Sequence, residues 1–114
     1  MADLLVDTDV FVDHLRGVRE FDPAGHQVHF SAITRAELLA GATEARAVGI
    51  LLSPFRELEV NRAVAERAGE IRRRTGVRLP AALLAATALL HALDLVTRNR
   101  KDFTRIAGLR VQAP

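Results

Sequence analysis

Three acidic residues stand where chemistry is easiest to build. Asp7 directly follows the apolar run Leu4-Leu5-Val6, which reads as a buried strand. An ionised side chain just past such a strand is costly unless it is solvated, paired or bound to a metal. Capping the next helix is its alternative duty. Asp9 can also do that, and Asp9 is read as structural. Glu37 lies in Ser31-Ala32-Ile33-Thr34-Arg35-Ala36-Glu37-Leu38. It follows Thr34 by three residues, so a capping box with Thr34 as N-cap competes with a site role. Asp102 stands three residues after Asn99 in Thr97-Arg98-Asn99-Arg100-Lys101-Asp102-Phe103. There, Asn99 as N-cap and Asp102 in the first helical turn is an adequate structural account. Each residue alone can be explained this way. Together, all three sit at strand-to-helix junctions or first turns, where one cleft can gather them. The charge distribution points the same way. Residues 1–60 carry five Arg and ten acidic residues, and residues 61–114 carry eleven cations against four acids, for the net +2. Carboxylates that hold a cation and arginines that hold phosphates are what a metal-using nuclease would show. A solvated helix face is the competing account of Arg72-Arg73-Arg74.

The elements that must position these residues are legible. Leu4–Val6, Val28–Phe30, Leu58–Val60 and Leu95–Thr97 read as strands, with a last one at Leu109–Val111. Thr8 and Asp9 can cap a helix ending near Gly17, and Ser31 or Thr34 starts the helix that carries Glu37. A short helix runs from Glu44 to Leu52 and stops at Ser53-Pro54. Asn61 caps a helix to Thr75, with Gly76 as its C-terminal signal. Leu79-Pro80 opens a helix from Ala81 to Leu93 that is apolar nearly all round and therefore buried. Lys101 to Ile106 is a short helical turn. Strands separated by helices of this length imply parallel crossovers and a three-layer α/β/α sandwich. Ligands in open parallel sheets bind beyond the C-terminal strand ends, where Asp7 and Asn99 both fall.

The 114 residues suffice for one domain, read as 1–114. The absence of cysteine removes disulfides, thiolate metal sites and a thiol nucleophile, and is consistent with a cytoplasmic location. No apolar run is long enough for a membrane helix, and Met1-Ala2-Asp3-Leu4 shows no signal-peptide pattern. His26 and His29 are close in sequence but lack further ligands at zinc spacing, and His14 and His91 read as packing-edge residues. No Gly-rich phosphate loop and no Gly-x-Ser-x-Gly elbow occurs.

Leu4-Leu5-Val6-Asp7-Thr8-Asp9-Val10, Ser31 through Gly41, and Leu79-Pro80 with Ala85-Ala86-Thr87-Ala88 and Leu95 through Phe103 resemble the successive motifs of PIN domains. The similarity is nearest to VapC-type toxins and runs in order from residue 4 to about residue 111. It implies a PIN-like, mainly parallel sheet of four or five strands flanked by helices. It also implies an acid cluster binding Mg²⁺ or Mn²⁺, hydrolysis of RNA phosphodiester bonds, a homodimer, and silencing by a small VapB-type antitoxin. Asp7 matches the first family acid, Glu37 the second and Asp102 the late one, with Asn99 a polar neighbour at the same site. Asp7, Glu37 and Asp102 are thus the expected catalytic residues, and these three with Asn99 the expected metal-holding set. Asp9 stands where the family often has Asn or Ser, and is left out.

One departure bears on activity. The family pattern has Asp directly after the Leu-Pro pair, and here that residue is Ala81. Ala cannot ligate a cation, so the expected acids fall from four to three. Losing one such group commonly costs about 10²–10³-fold in rate. A deliberate silencing replacement and a naturally degenerate member both account for it, and the intact motifs on either side favour the first. Folding is expected to be intact or improved, because Ala is a good helix former and relieves carboxylate repulsion. In the chemistry that the resemblance implies, the ion activates water and neutralises phosphate. Glu37 holds a second ion or acts as general base. Arg98, Arg100 and Lys101 contact the RNA backbone or remain solvated. With five Phe and no Tyr or Trp, a broad base-stacking platform is not expected.

Three other readings compete. A haloacid-dehalogenase-type phosphatase also places Asp-x-Asp after a strand, but it wants Thr or Val two residues after the second Asp, where Phe11 stands. A response-regulator receiver needs a phosphoacceptor Asp after a middle strand, and none occurs between Asp22 and Asp94. A catalytically inactive module that only binds an antitoxin is the alternative from a non-enzyme class.

Overall fold

The computed structural model describes residues 3–41 and 44–114. Met1 and Ala2, on which the reading of the N-terminus partly rests, lie outside them. The chain alternates strands and helices in the order β1 (Asp3–Val6), α1 (Thr8–Leu15), β2 (Gln27–Ser31), α2 (Ala32–Ala40), α3 (Ala45–Leu52), β3 (Arg56–Leu58), α4 (Arg62–Thr75), α5 (Leu79–Leu90), β4 (Asp94–Val96), a 3-10 turn (Arg100–Phe103) and β5 (Val111–Gln112). The five strands form one sheet in the order β3-β2-β1-β4-β5, with every neighbouring pair parallel. The chain winds outward from β1 through β2 to β3, then crosses back to lay β4 on the other flank of β1. The carboxyl ends of β1 and β4 therefore border the crevice where the winding reverses, which is where such sheets bind ligands.

Side chains alternate across a strand, and this splits the core into two layers. Leu5 and Leu95, which are paired in register, face α4 and α5 through Val64, Ala68, Ala82 and Ala85. Leu4, Val6 and Val96 face the other way, onto Phe11 of α1, Leu38 of α2 and Val48 and Leu52 of α3. The sheet thus lies between three helices on one face and two on the other, an α/β/α sandwich. Four of the aromatic rings gather on the face covered by α1, α2 and α3. Phe11 lies 5.6 Å from Phe21, 6.4 Å from Phe30 and 6.1 Å from Phe55 between ring centroids. Alanines dominate the inner face of α5 and let it seat closely on the sheet. No helix among the described residues is long and apolar enough to cross a membrane.

Helix α4 follows its local signals closely. The Asn61 side chain accepts from the Val64 N–H at 3.0 Å, and Gly76 ends the helix in the left-handed region at φ 75°. Elsewhere the boundaries differ from the expected ones. Helix α5 stops at Leu90, short of Leu93: Ala92 turns into the left-handed region (φ 54°), and the Leu93 N–H bonds back to the Ala88 carbonyl. Strand β3 is Arg56–Leu58 because it pairs with His29–Ser31, so Glu59 and Val60 run past the ladder. Strand β5 is Val111–Gln112 because its register is set by Leu95 and Val96.

Candidate active site

Asp7 leaves β1 and enters α1 as its N-cap residue, in extended backbone conformation (φ −71°, ψ 154°). Its N–H is fixed to the Val96 carbonyl at 2.9 Å, which ties the end of β1 to β4. One carboxyl oxygen accepts from the Thr8 N–H at 2.7 Å, and the other accepts from the Thr97 hydroxyl at 2.8 Å. Of the capping candidates Asp7, Thr8 and Asp9, it is therefore Asp7 that caps α1, because it is the last residue before helical geometry begins. Burial pushes its carboxyl up to about 6, and the negative charge of Asp9 adds to the rise. The bonds from Thr97 and Thr8 oppose the rise, while Glu37 adds a smaller push upward.

Asp9 belongs to the same group. One of its oxygens lies 3.4 Å from the Thr97 hydroxyl, and the other accepts from the Arg98 N–H at 3.4 Å. A hydroxyl has one proton, so the shorter contact to Asp7 takes it. Burial raises the Asp9 carboxyl above its ordinary value against the pull of the Arg98 N–H and guanidinium. Asp9 had been assigned a structural role. Its convergence with Asp7 arises through Thr97, across the sheet, and only the Asp-x-Asp spacing hints at it.

Glu37 reaches the cleft from α2. That helix is capped by Ser31, whose side chain accepts from the Ile33 N–H at 3.1 Å, so Thr34 sits inside the helix and the capping box with Glu37 does not form. Instead Thr34 is fully buried, with its hydroxyl 2.9 Å from that of Thr8. The Thr8 hydroxyl donates to the Glu37 carboxylate at 2.7 Å. Thr8 thus links the first and second acids through one backbone N–H and one hydroxyl.

Asp102 rides on the 3-10 turn after β4, and its N–H donates to the Asn99 carbonyl at 3.1 Å. Asn99 occupies the N-cap position but makes no capping bond with its side chain, so the expected side-chain cap is not formed. Asp7, Asp9, Glu37, Asn99 and Asp102 line one cavity of about 290 Å³, and Ala81, in the first turn of α5, lies on the same wall. The fold thus brings together residues that are 95 positions apart in sequence. No three His, Asp or Glu side chains among the described residues converge tightly enough to enclose an ion by themselves. The lining offers oxygen donors, and burial raises the Asp7 and Asp9 carboxyls, so their ionised forms gain from a cation placed between them. This arrangement suits a Mg²⁺-like cation, which is held through one or two carboxylates and keeps several of its waters.

The three cations expected to meet a substrate separate. The Arg98 guanidinium donates to Asp13 at 2.7 Å, and Asp13 is only 8% exposed, so this cation is committed to neutralising a buried acid. Asp13 was not singled out from the sequence, although it lies one helical turn after Asp9 on α1, on the same face. Arg100 and Lys101 are exposed on the 3-10 turn and line a broad depression next to the acid cleft.

The comparisons with known proteins place the chain in a family. The family model for the PIN domain matches residues 4–109. Ribonuclease VapC10 of Mycobacterium tuberculosis is 36% identical over 120 residues, an alignment spanning 94% of this chain and 90% of that protein. Among solved structures, a toxin–antitoxin complex from Klebsiella pneumoniae aligns with a TM-score of 0.77 at 32% identity, covering 94% of this chain and 95% of that one. DNA-bound VapBC from Salmonella typhimurium aligns with a TM-score of 0.83 at 25% identity, covering 99% and 98%. With the family model spanning nearly the whole chain and a relative 36% identical over 94% of it, the chain belongs to the PIN-domain family.

Proposed function

We propose that this chain is a VapC-type ribonuclease toxin, whose acid cleft hydrolyses RNA phosphodiester bonds with Mg²⁺ or Mn²⁺, and that Ala81 leaves it impaired. The observation carrying the reading is that Asp7, Glu37, Asp102 and Ala81 share one cavity at the switch point of the sheet. Asp7 and Asp102, with Asn99 beside them, are the groups that hold the cation, which when bound supplies an activated water and neutralises phosphate charge. The chain's own residues do the positioning. The Thr97 hydroxyl and the Thr8 N–H each fix one of the two oxygens of Asp7. Thr8 holds one oxygen of Glu37 and leaves the other for a water or a second ion. Asp, which has two more donor atoms than Ala, would complete the wall at position 81.

Its partner is a small VapB-type antitoxin, in keeping with the toxin–antitoxin complexes that share the fold. Its working form is a cytoplasmic homodimer. A second reading, an inert module that only binds its antitoxin, is favoured by Ala81 itself.

Ala81→Asp separates the two. Cleavage of single-stranded RNA in Mg²⁺ or Mn²⁺ should rise about 10²–10³-fold, and calorimetric titration with Mn²⁺ should show tighter binding. An Ala81→Asp protein that stays inert on varied RNAs while it binds a small partner tightly establishes the second reading.

A further inference from the structure

Beside the acid cleft lies a second cavity, of about 420 Å³, that shares Glu37, Pro80, Ala81 and Asp102 with it. Its volume is in the range of about 300–1,000 Å³ usual for small-ligand sites. Its lining adds three cations, Arg78 from the turn between α4 and α5, Lys101 from the 3-10 turn, and Arg105 just beyond it. The turn that presents Arg78 is braced. The Arg72 guanidinium donates to the carbonyls of Gly76 at 2.9 Å and Val77 at 3.1 Å, and Arg105 donates to the Thr75 carbonyl at 3.3 Å. Among the described residues, neither Arg78 nor Lys101 has an ion pair or a side-chain hydrogen bond. Arg98, by contrast, is taken by Asp13.

An unpaired arginine on a braced turn and an unpaired lysine on the 3-10 turn, next to carboxylates placed for phosphodiester chemistry, are arranged for an anion that continues out of the cleft. We propose that this cavity holds the RNA phosphate adjacent to the one at the acids, with Arg78 and Lys101 as its two direct contacts and Arg105 bracing the turn through Thr75. This rests on the ribonuclease reading and adds the path of the strand. The planar guanidinium of Arg78 can grip two phosphate oxygens at once, while Lys101 acts as a point charge. No aromatic side chain lines the cavity, so it recognises backbone and not base identity.

The test is RNA binding in EDTA, where no cleavage confuses the signal, with the chain as it stands. Fluorescence anisotropy with labelled single-stranded oligonucleotides is followed across a NaCl series for the parent, Arg78→Ala, Lys101→Ala and Arg62→Ala. Arg62 is an exposed residue at the opposite end of α4 and serves as the control. Arg78→Ala and Lys101→Ala should each weaken binding about 3–10-fold and flatten the slope of log K against log salt by about 0.7–1, equally for all base compositions. Arg62→Ala should change neither. If Arg78→Ala binds with the parent's affinity and slope while Ala81→Asp cleaves RNA, the cavity assignment falls alone. If the basic variants lose binding as expected but Ala81→Asp never cleaves, the phosphate site stands and the hydrolysis reading falls. A parent that binds no RNA at any salt overturns both.

Discussion

Replacing Asp7 by Asn keeps the shape of the cleft and removes one buried charge. The Asn side chain can still cap α1 through its carbonyl oxygen, and its amide can face Thr97, whose hydroxyl is able to accept. The Asp7 carboxyl is pushed from 3.8 to about 6, chiefly by burial and then by Asp9. The folded state therefore holds this proton more tightly than the unfolded chain does. That preference contributes stability in full below the ordinary value of 3.8, and it is lost as pH rises through about 6. Above that, ionised Asp7 burdens the native state. That displacement corresponds to about 3 kcal/mol, and partial access to water reduces this to ~1–3 kcal/mol. The unfolding entropy expected of a chain this size gives about 4 °C per kcal/mol. At pH 8 without divalent ions, Asp7→Asn should thus melt about 4–12 °C above the parent, with the gap closing as the pH falls through the interval between 6 and 3.8. Circular-dichroism melts at several pH values in EDTA test this. A variant that is less stable at pH 8, or a gap of the same size at pH 4, would refute the electrostatic account of the cleft.

Other perturbations test the scaffold. Arg98→Ala strands the buried Asp13 carboxylate without its partner and should cost ~1–3 kcal/mol in urea unfolding, since a buried acceptor then loses a charge-assisted bond. Phe11→Ala empties the centre of the four-ring cluster and should cost about 3–5 kcal/mol, read as a lower urea midpoint with an unchanged slope. Ala81→Asp adds a carboxylate to a crowded cleft and should lower the melting temperature in EDTA. Millimolar Mn²⁺ should more than restore it, because a ligand that binds only the folded state stabilises by mass action.

Much of this protein was written locally. Asn61 and Gly76 bound α4 because an N-cap side chain and a left-handed C-terminal residue act within four positions of themselves. The apolar run before Asp7 predicted both a buried strand and an acid at its end. The order of strands and helices predicted a parallel sheet with its cleft at the strand ends. Other features had no local marker. Nothing near Ala92 announces a left-handed residue, so the end of α5 was misplaced by three positions. Ser31 and Thr34 are equally good caps as letters, and burial of Thr34 beneath α1 chose between them. The two-residue β5 and three-residue β3 take their limits from the strands beside them. Residue types thus announced which groups could do chemistry. Only tertiary contacts decided that Asp9 shares Thr97 with Asp7, that Arg98 is consumed by Asp13 85 residues away, and that Arg78 has no side-chain partner among the described residues. The reason is physical: caps and periodicity depend on neighbours along the chain, whereas desolvation and pairing of charge depend on which neighbours the fold brings together through space.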